Sequence, residues 1–277
     1  MDNCQSVKNV TDPFAGSFAD HIAYNFGPRA ALGRYMLAAE GRLSEIGIHL
    51  KRVDALEMVR LNRSSEDTWW RQVPVLDAED FPPAGDELVC YIGYDRSGKP
   101  VTAVSTRLID LGQATLKEEM ESLRLFFGPR AEEMRRTVEF NITSPFAINL
   151  TGKIAYIGGF WVHPSVRGSG ISAIVPKIVN YATIATWGVP VIISIVREVF
   201  FRPDIVDTYN VESAEPYFCF KTNGRLTWEG SLVWFSMPFL EKRLDLELAA
   251  LLDRPSASDG RGQEALDAVD VRRVDQA

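Results

Sequence analysis

The chain has 277 residues, of which 46% are hydrophobic and 24% are charged, and its formal net charge is -7 at pH 7. This length and apolar content suffice for one large core and exclude a chain that is disordered throughout. The acidic balance argues against nucleic acid as the main partner, because affinity for a phosphate backbone comes from clustered Lys and Arg. Any anion-binding site must therefore be local.

The cysteines, the histidines and the N-terminal residues show no pattern typical of a disulfide framework, a metal site or a targeting signal. The three cysteines are an odd number without metal-ligand spacing, and the three histidines lie far apart in the sequence, so we expect neither a disulfide framework nor a metal site. The first residues lack a charged stretch followed by an apolar segment, and no apolar run approaches the length of about 18 residues that crosses a membrane. We therefore expect a cytoplasmic protein without a membrane partner.

Residues 1–47 are predicted to form an N-terminal extension with one helix outside the core unit. Apolar residues there recur at helical spacing up to Gly47, a typical residue after a helix end. Ile48–Val53 then alternates like a strand, and Asp54 can cap a following helix. The main domain is expected to begin at this strand and to extend to residue 253.

A hairpin and an insertion follow within this domain. Apolar segments flank the turn from Asp95 to Pro100, which predicts two antiparallel strands. Residues 113–150 interrupt the strand pattern and are predicted to be a helical insertion. Its apolar stripe contains Phe126, Phe127, Met134 and Phe140. The stripe is equally consistent with a lid on an acyl or acceptor pocket, with core, or with contact to a second subunit, so a homodimer stays open.

The C-terminal part contains three further elements and a tail. Patterns predict strands over residues 189–196 and around 232–235, and a helix over 239–252. Residues 254–277 are acidic, small and poor in aromatic side chains, which predicts a disordered tail.

The most informative segment runs from residue 151 to residue 195. It contains an apolar strand over Ile154–Val162, a turn, the sequence Arg167-Gly168-Ser169-Gly170, an amphipathic helix and a second apolar strand. A glycine loop at a helix start directs unpaired backbone N–H groups at one point, where a pyrophosphate can bind. Pro176 inside the helical pattern predicts a kink or a late helix start.

The glycines alone leave three interpretations open. Gly168, Gly170 and Ala173 match the dinucleotide pattern G-x-G-x-x-A, with Glu198 as a ribose ligand after the next strand. That pattern places its first glycine directly after the strand, whereas here five residues intervene and an antiparallel hairpin lies upstream. A loop that only turns the chain is the second interpretation, and a resemblance to a known family gives the third.

The segment resembles the GCN5-related N-acetyltransferase family. The resemblance is carried by Val162-His163-Pro164 and by Arg167-Gly168-Ser169-Gly170-Ile171-Ser172, in which Ser172 stands where the family has Gly or Ala. It covers residues 48–237 and implies an α/β fold with a mixed, mostly antiparallel central sheet flanked by helices.

The resemblance implies acetyl-CoA or another acyl-CoA as co-substrate and no metal. The pyrophosphate would bind the backbone of Arg167, Gly168, Ser169, Gly170, Ile171 and Ser172, and the pantetheine arm would follow Phe160, Trp161 and Val162. Gly158 and Gly159 agree with this, because two glycines in a buried strand often mark a bulge or a close ligand approach. Backbone N–H groups at such a bulge would stabilise the developing oxyanion.

A general acid and a general base are needed as well. The family often uses a Tyr on the helix after the fifth strand, and the spacing from Asn210 to Tyr217 reproduces its pattern, so Tyr217 is our candidate acid and Tyr209 the alternative. The strand Ile154–Val162 carries no Glu or Asp. Glu198 is therefore our candidate base.

Two other acidic side chains, Asp204 and Asp207, are alternatives for the base, and Glu198 could instead pair with Arg197 or Arg202. The predicted function is transfer of an acetyl group from acetyl-CoA to a primary amine of a small molecule or peptide. The alternatives are a long-chain N-acyltransferase, such as an acyl-homoserine-lactone-synthase-like enzyme, and a catalytically silent CoA-binding module.

Overall fold

The computed structural model describes residues 16–65, 67–198, 208–209 and 211–253. Within these ranges eight strands form one sheet: β1 (Ile48–Val53), β2 (Leu88–Asp95), β3 (Pro100–Asp110), β4 (Val138–Ile142), β5 (Lys153–Val162), β6 (Val191–Arg197), β7 (Ser213–Thr222) and β8 (Arg225–Ser236). The helices are α1 (Arg29–Glu45), α2 (Ala55–Arg63), α3 (Leu116–Glu121), α4 (Arg124–Phe127), α5 (Ala131–Met134), α6 (Pro145–Asn149), α7 (Val175–Trp187) and α8 (Met237–Asp253). Short 3₁₀ helices lie at Phe18–His21, Pro74–Leu76, Gly128–Arg130, Pro164–Val166 and Ile171–Ala173.

The strand order in the sheet is β1-β2-β3-β5-β6-β8-β7-β4. Neighbouring strands are antiparallel except for β5 and β6, which are parallel and are connected by α7. The predicted α/β fold with a mixed, mostly antiparallel sheet is therefore confirmed. The single parallel pair lies in the middle of the sheet, where the edges of β5 and β6 meet.

The cap of α2 and the turn between β2 and β3 form as the sequence predicts. The Asp54 carboxylate accepts hydrogen bonds from the backbone N–H groups of Leu56 (2.9 Å) and Glu57 and caps α2. In the β2–β3 turn, the Asp95 carboxylate accepts from the backbone N–H groups of Ser97 (2.9 Å) and Lys99 (3.0 Å). Both arrangements satisfy backbone donors that the helix start and the turn would otherwise leave unpaired.

Two apolar clusters cover the two faces of the sheet. On the first face, α1, α7 and α8 pack together, and Met36 of α1 shares a cluster with Ile178 of α7 and Leu244 of α8. The predicted N-terminal helix forms as α1, and its apolar side is buried in this cluster together with α7 and α8. On the second face lie α2, residues 69–81 and the helices between β3 and β5. The domain boundary near residue 48 stays a prediction.

The insertion at residues 113–150 is only partly helical. Val138, predicted to continue a helix, begins β4, whose alternating burial extends the sheet beside β7. Phe126 and Phe140 are each 3% exposed, and their ring centroids lie 5.0 Å apart. Phe127 is also buried, and Met134 packs against the same cluster. Of the three alternatives for the stripe, core is the one that the structure shows. The predicted disordered tail lies outside the described residues.

Candidate active site

An opening between β5 and β6 interrupts the centre of the sheet. The two parallel strands pair at Ala155 with Ile192 and at Tyr156 with Ile193, and the recorded pairing ends there. Beyond this point, Gly158–Phe160 and Ser194–Arg197 are only partly buried. A strand in the middle of a sheet is normally paired along both edges. Here, within the described ranges, the edge of β5 that faces β6 has no strand partner beyond Tyr156. We refer to this gap as the β5–β6 cleft.

A β-bulge lies on β5 beside the cleft. Between the pairs Ala103–Trp161 and Ser105–Gly158, β3 advances two residues while β5 advances three. Gly159 has a φ of +64° there, a conformation in which a side chain is strained. The bulge predicted from the two adjacent glycines is therefore confirmed, and it changes the direction of the β5 backbone where the cleft opens.

The glycine loop lies at the end of β5. Gly168 (φ +77°) and Gly170 (φ +88°) take left-handed conformations, and no atom lies within 4 Å of where a Cβ would be added to either. A 3₁₀ turn follows at Ile171–Ala173, and α7 begins only at Val175, with Pro176 in its first turn. This is the late helix start that Pro176 predicts. It lengthens the backbone that can approach a ligand.

The amides of this loop are available. None of the described residues accepts a hydrogen bond from the backbone N–H groups of Gly168, Gly170, Ile171 and Ser172. Thr183 of α7 donates to Thr106 of β3 (3.2 Å), which ties the helix to the sheet. Unpaired N–H groups at a firmly held helix start favour an anion.

Two cations lie at the start of the loop and beside the turn that leads into it. The Lys99 ammonium lies 3.2 Å from Nε2 of His163, and the Arg167 side chain is exposed beside Gly168. The pKa of His163 is lowered by partial burial, then by the charges of Lys99 and Arg167, while Asp95 opposes the shift. The arrangement repels a further proton on His163 and attracts an anion.

The predicted cofactor-binding residues differ in what they can offer a ligand. Trp161 and Ile171 are 7% and 1% exposed, so their side chains belong to the core and only their backbones are available. Phe160 and Val162 are partly buried and pack against the α7 face of the sheet. Their backbones lie on the edge that the β5–β6 cleft opens.

The two candidate acids lie in different places. The Tyr209 ring packs edge-on against the Phe160 ring, with centroids 5.9 Å apart, so it lies beside β5 at the cleft. Tyr217 lies in β7, at the register shift between Pro216 and Phe218. The expectation that Tyr217 lies on a helix is therefore wrong, because the alternating segment from residue 213 onward pairs with β8.

The candidate bases are less well defined. Glu198 is exposed and directly follows β6, on the side of the cleft opposite β5. Within the described ranges no ion pair joins Glu198 to Arg197. Asp204, Asp207, Arg202 and Asn210 lie outside the described residues.

Residues 69–72, which lie between α2 and β2, form one wall of the cleft. The Trp69 ring stacks on the Trp161 ring with centroids 4.7 Å apart, and the Trp161 indole N–H donates to the carbonyl of Thr68 (2.7 Å). Three positions after Trp69, Gln72 is 4% exposed, and its Nε2 atom lies 2.9 Å from where a Cβ would be added to Gly159. The bulge therefore rests directly on the Gln72 amide.

The same segment also reaches β6. The guanidinium carbon of Arg197 lies 4.9 Å from the centroid of the Trp70 ring, and Trp70 is 55% exposed. Residues 69–72 thus contact both strands that border the cleft. Sequence reasoning missed this wall because the segment has no periodicity, and the adjacent pair Trp69–Trp70 was its only distinctive signal.

Two further observations concern the described residues only. No group of three or more His, Cys, Asp or Glu side chains in these ranges could hold a metal ion. None of the helices described above combines the length and the hydropathy of a membrane span.

Comparison with known proteins gives distant structural likenesses. No protein-family model matches the chain, and no curated protein is similar to it in sequence. An agmatine N-acetyltransferase is 13% identical, with a TM-score of 0.42 over 69% of this chain and all (100%) of that one. RimJ of Mycobacterium smegmatis, in complex with CoA-disulfide, is 14% identical, with a TM-score of 0.40 over 73% of this chain and 88% of that one.

Mutant forms of the spermidine/spermine N-acetyltransferase SpeG from Vibrio cholerae are 9% identical, with a TM-score of 0.39 over 71% of this chain and 98% of that one. At such identities and TM-scores these likenesses assign no activity to this chain.

Proposed function

We propose that this chain is an acyl-CoA-dependent N-acyltransferase of the GCN5-related type, which transfers an acetyl group from acetyl-CoA to a primary amine. The observation that carries the proposal is the opening of the single parallel strand pair next to a loop with unpaired amides. A thioester donor of this kind needs both features, because it joins a pyrophosphate to a long arm with peptide-like amides.

The loop would hold the phosphates. Backbone N–H groups of Gly168, Gly170 and neighbouring residues supply donors, and the glycines leave the space for a close approach. Lys99 and Arg167 supply positive charge on the same side. Arg167 suits this role, since a guanidinium can donate two parallel hydrogen bonds to a phosphate.

The free edge of β5 would hold the arm. Residues 158–162 present backbone donors and acceptors to the β5–β6 cleft, and an extended ligand can pair with such an edge as an added strand does. The bulge at Gly159 turns the backbone there, so its amides are suited to stabilise negative charge on a carbonyl oxygen.

Acetyl-CoA, when bound, supplies a thioester carbonyl that a neutral amine can attack. Glu198 is our proposed base, which removes a proton from the amine directly or through water. Tyr209 is our proposed acid for the departing sulfur, because its contact with Phe160 places it beside the strand that would hold the arm. Tyr217 remains the alternative acid.

Nothing in the insertion favours a long acyl chain. The apolar side chains that suggested an acyl pocket, Phe126, Phe127 and Phe140, are buried against the sheet. A short acyl group is therefore the proposal that the described residues support.

Thiol release from acyl-CoA tests the proposal. Purified protein is mixed with acetyl-CoA or octanoyl-CoA and a panel of primary amines, and free CoA is followed with a thiol reagent; reactions without amine are the control. We expect amine-dependent release that is faster with acetyl-CoA. Faster release with octanoyl-CoA contradicts the short acyl group. Binding of acetyl-CoA without release for any amine contradicts the enzyme and favours the silent CoA-binding module.

A further inference from the structure

Arg197 lies at the mouth of the β5–β6 cleft. It is the last residue of β6, and by strand alternation its side chain lies on the same face as Ile193 and Ile195, which pack in the cluster opposite α7. This is also the face on which Trp70 contacts the guanidinium. The Arg197 side chain thus lies on the opposite face of the sheet from α7.

Within the described part of the chain, Arg197 forms no ion pair with a carboxylate. Several other arginines there have a carboxylate partner, for example Arg63 with Asp77 at 3.2 Å. No described carboxylate pairs with Arg197, and its one recorded side-chain contact is the Trp70 ring. A partly buried guanidinium beside an open cleft can donate charge-assisted hydrogen bonds to an anionic ligand.

The Trp70 contact also fixes where the guanidinium lies. A cation above an aromatic face is attracted by the ring quadrupole, and the planar guanidinium keeps its N–H donors free when it packs in this way. The wall formed by residues 69–72 holds Trp70 in place through Trp69 on Trp161 and through Gln72 at the bulge. The N–H groups of the Arg197 guanidinium are therefore held on this face at the mouth of the β5–β6 cleft, the opening through which an amine would approach acetyl-CoA.

We propose that Arg197, supported by Trp70, binds a carboxylate of the acceptor, so that the acceptor class is an amine that also carries a carboxylate, such as an amino acid. This inference rests on the proposed function. The phosphates of the donor would bind at the glycine loop, which leads into α7 on the opposite face of the sheet from the Arg197 side chain. Arg197 acts as a specificity-determining residue for the second substrate.

Matched amine pairs test this inference. Tyrosine is compared with tyramine, and lysine with cadaverine, in the thiol-release assay with saturating acetyl-CoA. We expect a higher kcat/KM for the carboxylate-bearing member of each pair. In Arg197→Gln, kcat/KM for that member should fall about 10- to 100-fold, the loss typical of a charge-assisted hydrogen bond, while the value for the bare amine stays within about two-fold.

Two variants and a control complete the experiment. Arg197→Lys should retain part of the preference, because it keeps the charge but not the paired donors. Arg135→Gln removes an exposed arginine far from the cleft and should leave both members of a pair unchanged. Acetyl-CoA affinity should be equal in all variants, which shows that they are folded.

The outcomes separate the two proposals. Equal kcat/KM for both members of each pair, in the wild type and in Arg197→Gln alike, contradicts the role of Arg197 and leaves the acyltransferase intact. Absence of turnover with every amine contradicts the proposed function and this inference with it.

Discussion

Gly159→Ala tests the bulge on which the proposed chemistry depends. The glycine has a φ of +64°, and a new Cβ would lie 2.9 Å from Nε2 of Gln72. Gln72 in turn donates a hydrogen bond from Nε2 to Oγ of Ser105 (3.2 Å). The substitution therefore strains the backbone and displaces a buried amide at the same time.

The two effects can be given magnitudes. A non-glycine residue in the left-handed region costs about 1–2 kcal/mol. Displacing Gln72 loses a buried hydrogen bond of about 1 kcal/mol. The free energy of unfolding should therefore fall by about 2–3 kcal/mol, or roughly 4–12 °C in Tm for a domain of this size. Thiol release should fall at least about ten-fold, because displaced donors no longer meet the carbonyl oxygen.

Urea unfolding and thiol release measure these effects. Gly152→Ala is the matched control, since Gly152 has a φ of +77° with no atom within 4 Å of the added Cβ, and it should show the backbone cost alone. In the double variant Gly159→Ala/Gln72→Ala, the added Cβ no longer displaces an amide. The loss of unfolding free energy should therefore be about 1 kcal/mol smaller than the sum of the losses in the two single variants. Equal stability of Gly159→Ala and Gly152→Ala, together with undiminished turnover, would refute this reasoning.

Three further predictions concern the loop and the acid. Gly170→Ala and Gly152→Ala should each lower the free energy of unfolding by about 1–2 kcal/mol, because both glycines have positive φ and open surroundings. Calorimetry should show weaker acetyl-CoA binding only for Gly170→Ala. Equal affinities of the two variants would contradict the phosphate site. Tyr209→Phe should lower kcat at least about ten-fold with unchanged acetyl-CoA affinity, whereas Tyr217→Phe should not; the reverse pattern would assign the acid to Tyr217. Saturating CoA should raise the pKa of His163, which is lowered by burial and by neighbouring cations, in an NMR titration of its imidazole; an unchanged pKa would place the phosphates elsewhere.

Locally determined elements were predictable from the sequence. The Asp54 cap and the β2–β3 turn each depend on a side chain that bonds to backbone within a few residues. The late start of α7 follows from Pro176, and the bulge follows from Gly158 and Gly159. In each case the physical cause lies within one short segment, so the pattern of residues reveals it.

Elements that depend on distant partners were not predictable. β4 has only five residues and is stabilised by pairing with β7, about eighty residues away in sequence. The spacing that pointed to Tyr217 on a helix falls in a strand, because residues from Ser213 onward pair with β8. The wall that contains Trp70 and Gln72 becomes visible only when β5 and β6 are brought beside it.

Hydrogen–deuterium exchange with and without acetyl-CoA tests whether the glycine loop and the edge of β5 together bind the acyl donor. We expect slower exchange in two separate segments, the loop over residues 167–173 and the strand edge over residues 158–162, because a ligand would cover amides that the protein leaves unpaired. Exchange in β4, residues 138–142, should not change. Saturating acetyl-CoA that protects neither segment, or protects only residues outside them, would contradict the account.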